Sequence, residues 1–130
     1  MSDTPASTMK KLILVVEDNV SESWALARLL RQAGFHSFEC RTLKEGRAAL
    51  RTKPDVIVLD KQLSDGNGFD FCRELKFNQV TAEIPVILVW DARDSEADPS
   101  QSISSGAHSF FSKPLNRPEL LETIFKILWS

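Results

Sequence analysis

Val56-Ile57-Val58-Leu59-Asp60 is a run of four apolar residues, three of them β-branched, that ends in a carboxylate. An uninterrupted apolar run of this kind is typical of a strand buried on both faces, as in a parallel sheet covered by helices. Asp60 then lies at the carboxyl end of the strand, where open α/β sheets place their sites. Because a carboxylate at that position is costly to desolvate, we expect charged partners from elsewhere in the chain.

Four further segments have the composition of strands, and apolar residues at helical spacing fill the intervals between them. Residues 11–16 and 86–90 are dominated by continuous apolar runs, whereas residues 36–40 and 109–112 are mixed in character. Helices are expected over the following residues: 20–33, 43–51, 69–77, a short or poorly ordered one within 91–106, and a last one after the capping residue Asn116. This alternation predicts an α/β fold, an open five-stranded parallel sheet with helices on both faces.

The spacing of apolar residues also predicts which sides of two helices are buried. For the helix over residues 20–33, the main expected stripe consists of Val20, Trp24, Ala27 and Leu30, and it is widened by Leu26, Leu29 and Ala33. For the helix over residues 69–77, the expected buried side consists of Phe71, Cys72 and Leu75.

The composition predicts a single domain over residues 10–130, preceded by a disordered tail over residues 1–9. The chain has 130 residues, of which 42% are apolar and 26% charged, as is ordinary for a globular protein. A net charge of −2 gives no electrostatic case for binding nucleic acid or membranes, and no apolar run approaches the roughly 20 residues that span a bilayer. Cys40 and Cys72 lack metal-type spacing, so we expect reduced core thiols in a cytoplasmic protein.

Charged residues follow or end three of the predicted strands. Glu17 and Asp18 follow the first strand, Asp60 ends the third, and Lys113 follows the fifth. In a parallel sheet these positions share one edge, and carboxylates about 4–6 Å apart repel one another by several kcal/mol at intermediate dielectric. A hard divalent cation relieves this repulsion, and oxygen ligands of this number suit Mg²⁺.

This set of charges suits the transfer of a phosphoryl group onto a carboxylate. Mg²⁺ and Lys113 would neutralise the phosphoryl oxygens, and Asp60 would be the nucleophile that forms an aspartyl phosphate. An aspartate-dependent phosphatase is disfavoured because that chemistry wants an acid two residues after the nucleophile, where this chain has Gln62. A nucleotide site is also disfavoured, because the first strand leads into acids and not into a glycine-rich loop. We therefore expect no enzyme.

From about residue 11 to residue 129 the chain resembles the receiver domain of two-component response regulators (CheY-like). Each matching feature is weak alone, but their order and spacing together are specific. The matching features are Glu17-Asp18, Asp60 followed by Leu63 and Gly68, Ile84-Pro85, Gly106-Ala107 and Lys113-Pro114.

The resemblance implies a flavodoxin-like sheet with strand order 2-1-3-4-5 and a role in a phosphorelay. Asp60 would accept a phosphoryl group from a histidine kinase or phosphotransfer protein, and Lys113 would bind that group. Mg²⁺ would be held by Asp18, Asp60, the backbone carbonyl of Gln62 and, through water, Glu17. A downstream protein would bind the face formed by the fourth helix, fifth strand and fifth helix. No contact of this domain with nucleic acid or membrane is implied.

The chain departs from the family pattern at the end of the fourth strand. Family members carry Ser or Thr five residues after the position of Pro85, and here that residue is Trp90, followed by Asp91. The hydroxyl normally hydrogen-bonds the phosphoryl group and makes room for an aromatic side chain, matched here by Phe110, to turn inward. An indole offers one N–H donor on a rigid ring, so that coupling cannot work in the usual way. Ser64 also replaces a usual Pro, with little expected consequence.

Two interpretations of this departure remain open. In the first, Asp60 is phosphorylated and the coupling to the switch is weakened or rewired. In the second, the chain is a pseudo-receiver whose partner recognition does not depend on phosphate. Trp90 itself fits either a space-filling core residue or a specific switch or ligand platform.

Overall fold

The computed structural model of the chain describes residues 11–91 and 104–129. Five parallel strands form one sheet in the order β2-β1-β3-β4-β5, which confirms the predicted fold class and strand order. The strands are β1 Leu12–Val16, β2 His36–Cys40, β3 Val56–Asp60, β4 Val86–Asp91 and β5 Ser109–Lys113. Each lies within one residue of its predicted bounds. The predicted tail over residues 1–9, and most of the predicted helix within residues 91–106, lie outside the described residues.

Four predicted helices are confirmed, and polar side chains cap several of their N-termini. They are α1 Val20–Gln32, α2 Leu43–Ala49 with a following 3₁₀ turn Leu50–Thr52, α3 Gly68–Phe77, and the C-terminal helix Arg117–Trp129. Asn19 caps α1 by accepting a hydrogen bond from the backbone N–H of Glu22, and Thr42 caps α2 in the same way. Asn116 accepts from the backbone N–H of Glu119, as its predicted capping role requires.

The hydrophobic core lies on both faces of the sheet, because successive residues of a strand point to opposite sides. Ile57 and Leu59 of β3 pack on the side of α2 and α3, whereas Val56 and Val58 pack on the side of α1 and the C-terminal helix. Each fully buried side chain of this size stabilises the fold by about 1.5–3 kcal/mol. Since all five residues of β3 are buried, this strand is the centre of the core.

The predicted buried stripe of α1 is wrong at two of its four positions. Val20 and Trp24 are exposed, whereas the buried residues of α1 are Ser23, Leu26, Ala27 and Leu30. The small Ser23 is the residue that faces the interior in the first turn, so its neighbour Trp24 points away from the sheet. The Arg28 guanidinium covers the exposed indole, 5.5 Å from the ring centroid. The predicted buried side of α3 is confirmed.

The fold brings the carboxyl ends of the strands to one edge. Asp60 pairs with Val89 of β4, and Asp91 pairs with Lys113 of β5. Gly68 permits the close approach of α3 to this edge, because a Cβ there would overlap the carbonyl oxygen of Asp60. The Gly68 N–H instead donates to the carbonyl of Lys61 at 2.6 Å. The position of Asp60 therefore depends on a glycine eight residues later.

Candidate functional site

Lys113 is the centre of a charged cluster that consists of this lysine with Glu17, Glu22 and Asp60. Its ammonium nitrogen Nζ donates to Glu17 Oε1 at 2.7 Å, to Glu22 Oε2 at 2.6 Å and to Asp60 Oδ2 at 2.8 Å. The segment that follows β1, the first turn of α1 and the end of β3 thus meet at one cation. The predicted convergence of Glu17, Asp60 and Lys113 is confirmed as geometry.

Backbone contacts fix the acidic members at the ends of their strands. The Glu17 N–H donates to the carbonyl of Cys40 on β2, which extends the ladder one residue beyond β1. Asp60 Oδ1 accepts from the backbone N–H of Gln62 at 3.1 Å, so both carboxylate oxygens of Asp60 are engaged. Asp60 is therefore held from one side by the chain that follows it and from the other by Lys113.

Burial divides the cluster into an inner and an outer part. Glu17 and Asp60 are only 6% and 7% exposed, whereas the side chain of Glu22 is 47% exposed. Glu17 Oε2 is buried and has no hydrogen-bond partner. An unpaired buried carboxylate oxygen is costly, so this atom needs a ligand or a proton.

The electrostatics of the cluster favour a proton on Glu17 when no metal is bound. Burial, followed by the neighbouring carboxylates of Asp60 and Glu22, raises the pKa of Glu17 to about 9, and the hydrogen bond from Lys113 only partly opposes this. Contact with Glu17, and then with Lys113, lowers the pKa of Glu22. Burial disfavours the charge of Lys113, but its hydrogen bonds to Asp60, Glu17 and Glu22 outweigh this and raise its pKa.

The donors of the cluster fit a hard divalent cation. Glu17, Glu22 and Asp60 each offer one carboxylate oxygen, and these oxygens lie within 4.8 Å of one another. Carboxylate oxygens are the ligands preferred by Mg²⁺, and the unpaired Glu17 oxygen is one that a cation or its bound water could satisfy. Asp18 is exposed and is not a member of this group, so its role as a ligand stays a prediction.

An open depression of about 410 Å³ gives access to the cluster. Its wall includes three members of the cluster, Glu22, Asp60 and Lys113, and it also includes Asp18, Gln62, Trp90 and Asp91. Asp18 and Gln62 are thus brought to the predicted site, although the structure does not single out the Gln62 carbonyl as a ligand. Asp91 adds negative charge on the side of Glu22.

Glu22 is the member of the cluster that sequence reasoning missed. It lies in the first turn of α1, five residues after Glu17. Side chains on a helix point back toward its N-terminus, which here is the edge of the sheet that carries Glu17 and Asp18. An acid three residues after the capping residue Asn19 was therefore the available signal.

Trp90 and Phe110 form an aromatic pair beside the cluster. Their rings are stacked, with centroids 4.8 Å apart and an interplanar angle of 23°. Trp90 is 7% exposed and Phe110 is 39% exposed, so the tryptophan fills the interior and the phenylalanine lies over it toward solvent. Trp90 thus has both properties considered for it, because it packs as a core residue and also lines the depression.

Two further features concern the environment of the chain. Cys40 and Cys72 are free and buried, as predicted, and burial followed by the nearby charges of Glu45 and Glu39 raises the pKa of Cys40 to about 11. No helix among the described residues combines the length and the hydrophobicity required to cross a membrane.

The chain is similar in sequence to a known protein family and to several of its members. Residues 13–125 match the family model of the response regulator receiver domain. Protein PilH of Pseudomonas aeruginosa is 33% identical over 117 residues, a match that covers 89% of this chain and 96% of PilH. KdpE, the KDP operon transcriptional regulatory protein of Escherichia coli, is 40% identical over 110 residues, which cover 83% of this chain and 47% of KdpE. The chain spans about half the length of KdpE and of several other curated relatives.

Solved structures of receiver domains also have a fold similar to that of this chain. The signal receiver domain of a DNA binding response regulator from Colwellia psychrerythraea superposes with a TM-score of 0.85 at 28% identity, covering 93% of this chain and all of that one. The receiver domain of a sensor histidine kinase from Pseudomonas aeruginosa superposes with a TM-score of 0.81 at 25% identity, covering 92% of this chain and 98% of that one. In that structure a magnesium ion is coordinated in the active site cleft.

Proposed function

This chain belongs to the family of response regulator receiver domains, and on that premise we propose that it accepts a phosphoryl group on Asp60. The donor would be a phosphohistidine of a histidine kinase or of a phosphotransfer protein. The observation that supports this proposal is the convergence of Lys113 on Asp60 and Glu17, with Lys113 and Asp60 in the wall of an open depression.

The proposed step is an in-line displacement at phosphorus. A carboxylate oxygen of Asp60 forms a new P–O bond while the P–N bond to the donor imidazole breaks, and the released imidazole nitrogen takes up a proton. Lys113 then binds a phosphoryl oxygen and offsets the charge that develops in a loose transition state. The Gln62 N–H, which donates to Asp60 Oδ1, orients the carboxylate.

Receiver domains bind Mg²⁺ at an acidic pocket, and the cluster of this chain fits that cation. When bound, Mg²⁺ supplies positive charge that offsets the charge of the incoming phosphoryl group. We propose as ligands Asp18, Asp60 and the backbone carbonyl of Gln62, with Glu17 acting through a water molecule. Glu17 Oε2, which is buried without a partner, supports this assignment.

On this proposal the chain is a signalling module, and it does not turn over a substrate. A downstream protein would bind the surface that carries Phe110 and the C-terminal helix, as in the family expectation. The whole domain, proposed to extend over residues 10–130 after a tail, would act in the cytoplasm, which suits its two free buried thiols. We propose no contact with nucleic acid or membrane for this domain.

Phosphorylation with a small donor tests the proposal directly. The protein is incubated with acetyl phosphate and Mg²⁺, and its intact mass is measured. We expect the mass to rise by one phosphoryl group in the wild type and to stay unchanged in Asp60→Asn or in the presence of a chelator. Asp70→Asn, which removes an exposed carboxylate from α3, is the matched control and should be phosphorylated like the wild type. No mass gain in the wild type, or a gain that persists in Asp60→Asn, would contradict the proposal.

The aromatic pair favours a second function, that of a phosphorylation-independent interaction module. Trp90 lies where the family's small hydroxyl residue would be, and its indole is already stacked on Phe110. The buried indole occupies space next to Phe110, so we expect it to oppose an inward turn of that ring. A partner that binds phosphorylated wild type and Asp60→Asn with equal affinity would establish this function.

A further inference from the structure

Glu22 occupies one of the three hydrogen-bond donors of Lys113. A lysine ammonium has three N–H donors and accepts no hydrogen bonds. In this structure the three carboxylates of the charged cluster each lie within 2.8 Å of the nitrogen. Lys113 therefore has to give up a contact before it can donate to a new oxygen.

The three carboxylates differ in how easily each can give up its hydrogen bond to Lys113. Asp60 carries the proposed phosphoryl group and stays in place, and Glu17 is 6% exposed at the end of a core strand. Glu22 lies in the first turn of a surface helix with a side chain that is 47% exposed. Released from Lys113, the Glu22 carboxylate moves into water at little desolvation cost, which the Glu17 carboxylate cannot do.

Glu22 also lies in the wall of the depression through which a phosphoryl group has to enter. Its carboxylate oxygen is 2.6 Å from the same nitrogen that a phosphoryl oxygen would approach. Both groups are anionic, so they repel each other and compete for one donor.

We propose that Glu22 is a positioning residue of the phosphoryl site, an exchangeable occupant that holds Lys113 until a phosphoryl oxygen replaces it. This inference rests on the proposed phosphoacceptor function and adds a control element to that site. Glu22 keeps Lys113 aligned on Asp60 in the unmodified protein, and it lowers the affinity of the site for a phosphoryl group. Its position on α1, and not on a sheet strand, allows this exchange without any change in the sheet.

Beryllofluoride, a phosphoryl analogue that binds a carboxylate, tests the exchange without any turnover. Its affinity for the full chain is measured by calorimetry at saturating Mg²⁺, for the wild type and for Glu22→Gln. We expect the variant to bind beryllofluoride about threefold to tenfold more tightly, because the competing charge is gone. Glu119→Gln removes an acid from the first turn of the C-terminal helix and is the matched control, with unchanged affinity expected.

A gain in affinity is a result that mere structural damage does not produce. Equal or weaker binding by Glu22→Gln would overturn the role of Glu22, and if beryllofluoride still bound the wild type but not Asp60→Asn, the proposed function would stand. A parallel titration with Mg²⁺ alone separates the roles further. If Glu22→Gln loses affinity for Mg²⁺ and beryllofluoride together, Glu22 is a cation ligand and the exchange proposal falls. Absence of beryllofluoride binding to the wild type would overturn both proposals.

Discussion

The charged cluster and the aromatic pair are neighbours at the same edge of the sheet, and they are built in different ways. The cluster joins Lys113 to acids from three other elements through contacts of 2.6–2.8 Å. The pair joins only β4 and β5, through one stacked contact between Trp90 and Phe110. The cluster has the charges that phosphoryl transfer needs, whereas the pair has lost the hydroxyl that would report the transfer. From this difference we expect that the capacity to be phosphorylated and the response to phosphorylation are separable in this chain.

Trp90→Thr is expected to have the largest effect on the difference between the two regions. The change removes a buried ring, so we expect a loss of about 3–4 kcal/mol in the free energy of unfolding, measured in urea. It also supplies the missing hydroxyl and frees space beside Phe110. After treatment with beryllofluoride and Mg²⁺, the NMR signals of Phe110 should therefore move in Trp90→Thr and stay in place in the wild type.

The matched control for that substitution is Trp24→Thr, which removes an indole that is 63% exposed on α1. It should change the free energy of unfolding by no more than about 1 kcal/mol and leave the Phe110 signals as they are. If wild-type Phe110 already moves on phosphorylation, the separation of the two regions is wrong.

Replacing Lys113 by Met tests the cluster side of the comparison. Removing one partner of a buried ion network costs about 3–5 kcal/mol, and the partial exposure of the Lys113 and Glu22 side chains puts this substitution at the lower end of that range. Because the three carboxylates then lack their internal cation, Mg²⁺ should stabilise Lys113→Met more than it stabilises the wild type. The measurement is the urea midpoint with and without Mg²⁺, and Lys126→Met, on an exposed helical ion pair, is the control. An equal Mg²⁺ effect on both proteins would show that Lys113 does not substitute for a cation.

The two regions also differ in how far the sequence could predict them. Apolar runs ending in charge place Glu17, Asp60 and Lys113 at one edge, because parallel strands that share a sheet present their carboxyl ends together. That inference needs only the order of elements, and the structure confirms it. The tryptophan at the end of β4 was also visible, as a departure from the family pattern.

What the sequence could not predict depends on side-chain direction. Glu22 reaches Lys113 because of where α1 begins and how its first turn faces, which strand pattern does not encode. The orientation of α1 about its own axis also buries Ser23 and exposes Trp24, although the apolar periodicity predicts that Trp24 is buried. The stacking of Trp90 on Phe110 is likewise a packing outcome between neighbouring strands, and a list of residue types does not contain it.

Gly68 lies between the charged cluster and the packing of α3, and Gly68→Ala should disturb the cluster with a smaller loss of stability than Lys113→Met. The added Cβ would overlap the Asp60 carbonyl, so α3 or the backbone after Asp60 must shift at a cost of about 1–3 kcal/mol. The shift acts on Asp60 and not on the aromatic pair. We expect weaker Mg²⁺ binding with an unchanged near-ultraviolet circular dichroism spectrum, to which Trp90 contributes.

Gly46→Ala is the control for that variant, because the nearest atoms to its Cβ would be side-chain atoms of Val16, at 3.1 Å, and of Phe71, at 3.8 Å, and no backbone atom of the site. Its Mg²⁺ affinity should equal that of the wild type. An unchanged Mg²⁺ affinity in Gly68→Ala would mean that the site tolerates movement of the Asp60 backbone.

Asp65→Asn is expected to have the smallest effect on stability. It tests whether acid sensitivity arises at the start of α2 and not in the charged cluster. The Asp65 carboxylate accepts hydrogen bonds from the backbone N–H groups of Leu43 and Lys44 at the start of α2, and these bonds lower its pKa. A lowered pKa in the folded state stabilises the protein above the ordinary aspartate pKa, and this contribution is lost as the pH falls through the folded-state value. Urea unfolding of the wild type from about pH 6 down to about pH 3 should therefore show a steeper loss of stability than Asp65→Asn. If both proteins lose stability equally, the acid sensitivity does not come from Asp65, and Glu74, whose pKa is lowered by its contact with Arg47, becomes the group to test next.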